Sequence, residues 1–80
     1  MERKDAIKRR IQELMERKGI DYKTLAEASG IPLRSVYRIA TGMSNNPSVF
    51  YIMQICDGLG VSLDEFFEAE YFAEFRNPRA

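Results

Sequence analysis

Apolar residues recur with the period of an α-helix along most of the chain. Ile7, Ile11, Leu14 and Met15 fall at i, i+4, i+7 and i+8, which predicts a helix over residues 5–18 with one buried stripe. Gly19 supplies a left-handed C-terminal cap, and Ile20 folds back over the helix end. Asp21 is the natural N-cap of a second helix over 22–28, which Ser29-Gly30 ends. Pro32 stands at the start of a third helix, where a missing backbone N–H costs nothing, and Gly42 stops it. Within these two short helices and their turn, Leu25, Ala26, Ile31, Val36 and Ile39 are spaced to bury one stripe against a common core. Met43 to Pro47 has the Ser, Asn and Pro content of a connection. Ser48 caps a fourth helix whose buried side is Val49, Ile52, Met53, Ile55, Cys56 and Leu59, closed by Gly60. Ser62-Leu63-Asp64-Glu65 has the spacing of a capping box, so a fifth helix begins there and is expected to run to about residue 74. These periods predict an all-α fold.

The third helix turns Leu33, Arg34, Tyr37 and Arg38 away from the core. Two guanidinium groups and a phenol on one face suit base edges and phosphates, where an ordinary surface helix carries Glu/Lys pairs. In order and spacing, the stretch 22–42 resembles the helix-turn-helix of the Cro and phage-repressor superfamily, the XRE family of bacterial transcription regulators. The resemblance covers about residues 5–67. It rests on Leu25-Ala26, Gly30-Ile31, Val36, Ile39, Gly42, Asn46-Pro47-Ser48, the run 52–59 and Gly60-Val61-Ser62-Leu63-Asp64-Glu65.

The resemblance implies a compact five-helix bundle of the lambda-repressor-like DNA-binding domain type, binding an operator in double-stranded DNA. Helix 33–40 then enters the major groove while helix 22–28 crosses the backbone. Leu33, Arg34 and Arg38 match base-reading positions of the phage-repressor group. Arg34 is the first choice for two hydrogen bonds to a guanine, Leu33 suits a thymine methyl, and Tyr37 a phosphate or sugar. The family's customary glutamine at the start of the second helix is here Tyr22, whose hydroxyl can donate to a phosphate, with Lys23 as a neighbouring contact. The loop after the third helix, often basic in relatives, reads Met43-Ser44-Asn45-Asn46. Ser44 and Asn45 can bond phosphates but neutralise none of their charge, so few counterions would be released.

Eighty residues make one small domain with a marginal core, to which a partner subunit would add stability. A composition of 45% hydrophobic and 30% charged residues suits a globular domain, and no apolar run is long enough for a bilayer. The N-terminal residues Met1-Glu2-Arg3-Lys4 lead into an amphipathic segment without the apolar core of a secretory signal, so a cytoplasmic location is expected. No histidine and a single cysteine, Cys56, leave little for a zinc site and allow no internal disulfide, and Cys56 reads as a buried structural thiol. No cofactor loop or catalytic constellation is present, which points away from an enzyme.

The net charge is zero, against the basic footprint usual for nucleic-acid binding. The charges are unevenly placed, however. Residues 1–38 hold ten Lys/Arg against six acids, and residues 39–80 hold two against six, which turns the first half towards a polyanion.

The aromatic, acidic segment 68–80 lies beyond the 1–67 helix-turn-helix domain. Leu63, Phe66 and Phe67 are expected to complete the core, and Tyr71, Phe72 and Phe75 to form a contact between subunits of a homodimer. The leading reading is a sequence-specific transcriptional regulator, a repressor in its simplest form. The alternative is an antitoxin or antirepressor-like module of the same fold that captures a protein partner through its C-terminal half.

Overall fold

The computed structural model describes residues 1–76. Five helices follow one another as expected: α1 Arg3–Lys18, α2 Tyr22–Ser29, α3 Leu33–Ala40, α4 Val49–Leu59 and α5 Leu63–Phe66. A single 3-10 turn, Glu70–Phe72, leads into a short α6, Ala73–Arg76. The caps are those the sequence announces. The Thr24 amide donates to the Asp21 carboxylate (2.8 Å) and the Phe50 amide to Ser48 Oγ (3.1 Å). Ser62 and Glu65 close a reciprocal capping box.

The core is continuous from α1 to the C-terminal turn. Ile11 and Leu14 of α1, Leu25 of α2, Val36 and Ile39 of α3, Ile55 and Leu59 of α4 and Phe66 of α5 are all buried in it. Cys56 is buried among them, and burial pushes its thiol up to about 11, so it stays neutral near pH 7.

The most extensive packing between two helices is that of α2 on α4, and Gly58 permits it. A methyl group at Gly58 would collide with Ser29 Oγ and lie 3.1 Å from both Leu25 Cδ1 and the Ser29 backbone nitrogen. Ser29 Oγ is itself buried without a hydrogen-bond partner among the described residues, so the site is already tight. Gly58→Ala is therefore expected to destabilise the domain by about 1–3 kcal/mol, although alanine is the better helix former by roughly 1 kcal/mol. A thermal melt checks this, and an unchanged or raised midpoint would show that the two helices separate at little cost.

Two expectations about burial need correction. The apolar period puts Met53 and Val49 on the inner side of α4, yet they are 43% and 60% exposed, and Phe50 is 72% exposed. The inner stripe is Ile52, Ile55, Cys56 and Leu59 alone. At about 100° per residue, Met53 and Phe50 lie roughly 100° and 160° round the helix from Ile52, while Val49 sits in the first turn. Leu63, expected in the core, remains substantially exposed, whereas Phe66 is fully buried and Phe67 half-buried.

A further correction concerns the C-terminal segment. Instead of continuing to residue 74, α5 stops at Phe66. The buried Arg10 secures this end: its Nε donates to the Phe66 carbonyl (2.8 Å) and its Nη2 to the Glu65 carbonyl (2.6 Å), which also accepts from the Glu68 amide (3.3 Å) in a tighter turn. The chain then folds back over α1. Tyr71 donates its hydroxyl to Glu13, Phe72 is only 3% exposed against Phe66 and Phe67, and Phe75 packs beside Ile7 and Arg3. The aromatics proposed as a subunit contact thus pack on their own domain, because the short α5 leaves Phe66 and Phe67 in need of a cover.

Candidate nucleic-acid interface

The local sequence fixes how α3 is presented. Gly30 takes a left-handed conformation (φ 72°), and its amide and that of Ile31 both donate to the Ala26 carbonyl. Buried Ile31 anchors the turn, and Pro32 caps α3, its carbonyl accepting from the Ser35 and Val36 amides. With Val36, Ile39 and Ala40 turned inward, Leu33, Arg34, Tyr37 and Arg38 are left on the outer face, as expected.

On one flank of α3, Tyr22, Lys23, Leu33, Arg34 and Tyr37 line a single open hollow with Asp21. Tyr22 and Tyr37 meet edge to face, with ring centroids 5.4 Å apart. Gln12 of α1 sets the tyrosine. Its side-chain amide nitrogen donates to the Ala40 carbonyl (2.7 Å) and to the Tyr22 hydroxyl (2.8 Å). A carbonyl can only accept, so the amide NH2 must face both groups. The Tyr22 hydroxyl therefore accepts from Gln12 and keeps its own proton to donate outward. Asp21 at the rim is an opposing charge: the Thr24 amide holds its carboxyl below the usual carboxylate range.

On the other flank, Arg38 lines a second hollow with Ser35, Ser44, Asn46, Pro47, Ser48 and Tyr51. The loop is tied to α3 because the Met43 and Ser44 amides both donate to the Arg38 carbonyl (2.8 and 3.1 Å). Asn45 stands apart from this group. Its side-chain oxygen accepts from Lys4 Nζ (2.9 Å), on the α1 side of the loop. Seven of the eight expected DNA-facing residues thus flank α3 directly, and the eighth links the loop to the N-terminus of α1.

Four participants escape the sequence reading: Gln12, Ser35, Tyr51 and Lys4. Gln12 leaves no signal, since its partners are 10 and 28 residues away. Ser35 and Tyr51 neighbour motif positions already quoted, so their helical spacing could have found them.

The charge of the first half is also spent differently from the expectation. Arg9 stacks over the Tyr71 ring (4.5 Å to its centroid) and pairs with Glu13, Arg3 lies over the Phe75 ring, and Arg10 is buried on carbonyls. Part of the basic excess therefore holds the acidic, aromatic C-terminal arm. Arg34 and Arg38 are exposed and make no ion pair or side-chain hydrogen bond among the described residues.

Among the described residues no helix is long and apolar enough to cross a membrane. No curated protein and no solved structure matches the chain significantly. The helix-turn-helix family model does match, over residues 11–66, from the middle of α1 to the last residue of α5. That span contains the α2–turn–α3 pair and the helices that hold it, and the chain accordingly belongs to the Cro/phage-repressor (XRE) family of DNA-binding helix-turn-helix proteins.

Proposed function

We propose that this DNA-binding regulator acts as a repressor, two copies occupying a two-fold operator with α3 of each in the major groove. The observation that carries the reading is the outer face of α3, where Arg34 and Arg38 project without an internal partner among the described residues. In this reading Arg34 and Leu33 read base edges, and Arg38 a base or phosphate. Tyr22, Lys23, Tyr37, Ser44 and Asn45 hold phosphates or sugars. Repression needs only occupancy of the site. The alternative, capture of a protein by the aromatic C-terminal half, is less well supported, because Phe72 is committed to the domain's own core.

Selection of wild-type protein on random duplexes tests the proposal. The expected product is a symmetric site whose half-site centres are about 34 Å apart, one helical turn. With an uncharged 43–46 loop and Asp21 at the rim, affinity for that site should fall gently with salt, corresponding to fewer than about eight neutralised phosphates. Fluorescence anisotropy across a salt series measures this slope. A protein that enriches no sequence would refute the operator reading, and a steep slope would refute the account of the loop.

A further inference from the structure

We infer that the exposed face of α4, formed by Val49, Phe50 and Met53, is the surface through which two copies of this chain associate. The inference rests on the two-copy reading above and supplies the contact that the buried Phe72 no longer offers.

These side chains are 60%, 72% and 43% exposed and fall within about 100° of arc on one helix face. They also lie in a stretch of sequence without charge. In a chain with 24 charged residues among 80, no Asp, Glu, Lys or Arg occurs between Arg38 and Asp57. An exposed aromatic and an exposed methionine in a charge-free segment have the composition of an interface core, where charged residues are depleted.

The absence of charge also selects the occupant. In a two-fold contact the same patch meets itself, so any charge near the axis faces its own copy. A neutral apolar face pays no such repulsion, whereas the outer surface of α1, with Lys8, Arg9, Glu16 and Arg17, would set like charges together. Asp57 ends the α4 face, two turns beyond Val49 and exposed. In an antiparallel crossing each Asp57 lies by the N-terminus of the partner's α4, where a carboxylate is favoured. Finally, Ser48 and Tyr51 of the same helix border the hollow that contains Arg38. The proposed contact is thus continuous with the candidate DNA surface, and joining two copies there sets the spacing of their α3 helices.

Sedimentation equilibrium without DNA tests the inference for wild type and for Phe50→Glu combined with Met53→Glu. Wild type is expected to dimerise in the micromolar range, and the double variant to raise the dissociation constant at least tenfold with an unchanged circular dichroism spectrum. A wild type that stays monomeric to about 100 μM, or a folded double variant that dimerises as before, would overturn it. Hydrogen exchange of wild type over the same concentrations needs no variant. Protection that rises with concentration across residues 49–53 supports the inference, and a rise confined to other segments overturns it. Because DNA is absent, site selection can still succeed when this test fails, so the two failures are distinguishable.

Discussion

Arg34→Ala is expected to weaken binding to the selected operator by about 1–3 kcal/mol, roughly 5- to 140-fold, while binding to a random duplex changes far less. The asymmetry follows from what a guanidinium does in the major groove. Two N–H donors in a fixed fork match the two acceptors of guanine, and that match is lost at one base pair without altering the general attraction to phosphate. Arg34 lies in the first turn of α3, exposed and beside Leu33 and Tyr37, so its removal opens no cavity. The melting temperature should stay within about 4 °C of wild type. Arg34→Lys separates charge from geometry: it should recover the affinity for random duplex but little of the preference. Anisotropy on both duplexes across a salt series measures all of this. If Arg34→Ala lowers both affinities equally and reduces the salt slope by about one, Arg34 is a phosphate contact and base reading lies elsewhere on α3.

That this prediction can be addressed to one side chain shows how much of the site the sequence carries. The α2–turn–α3 geometry depends on local signals: the Asp21 cap, Gly30 in its left-handed turn, Pro32 at the next helix start and a short apolar stripe. Each acts over four residues or fewer, so each can be read in the linear chain. The outward set Leu33, Arg34, Tyr37 and Arg38 then follows from helical period alone. The orientation of Tyr22 could not be read this way, because it depends on Gln12 of α1 and the Ala40 carbonyl of α3.

The other failures share that cause. Val49 and Met53 fit an inward stripe by spacing, but which arc of α4 is buried depends on where α2 lies, and Gly58 brings α2 to one particular side. The C-terminal aromatics suggested an external partner because the sequence shows an excess over what a small core can bury. It does not show that α5 ends after a single turn and leaves Phe66 and Phe67 to be covered by Phe72. The positive balance of residues 1–38 likewise counts Arg10 as a base available to DNA, when it is buried.

Arg10 carries the largest expected effect on stability. It is only 9% exposed, and its guanidinium joins three things: the Glu65 and Phe66 carbonyls at the end of α5, Glu13 one turn further along α1 and, through Glu13, the Tyr71 hydroxyl. Burial of Tyr71, reinforced by the Glu13 carboxylate, pushes the phenol up to about 12, which keeps its proton on that bond at any ordinary pH. Arg10→Met preserves much of the buried stem but leaves the Phe66 carbonyl without its donor, the Glu65 carbonyl with the Glu68 amide alone, and Glu13 with one fewer cation. A loss of about 2–4 kcal/mol is expected, a large part of the stability of a domain this size. The melting temperature should fall by roughly 10–25 °C. Arg10→Lys keeps a charge but not the fork, and should fall between the two. The loss should be accompanied by faster hydrogen exchange in residues 70–72, because that turn is held to α1 through the same network. A melting temperature within about 3 °C of wild type would mean that water replaces the guanidinium at the α5 terminus, and that Arg10 does not secure the end of α5.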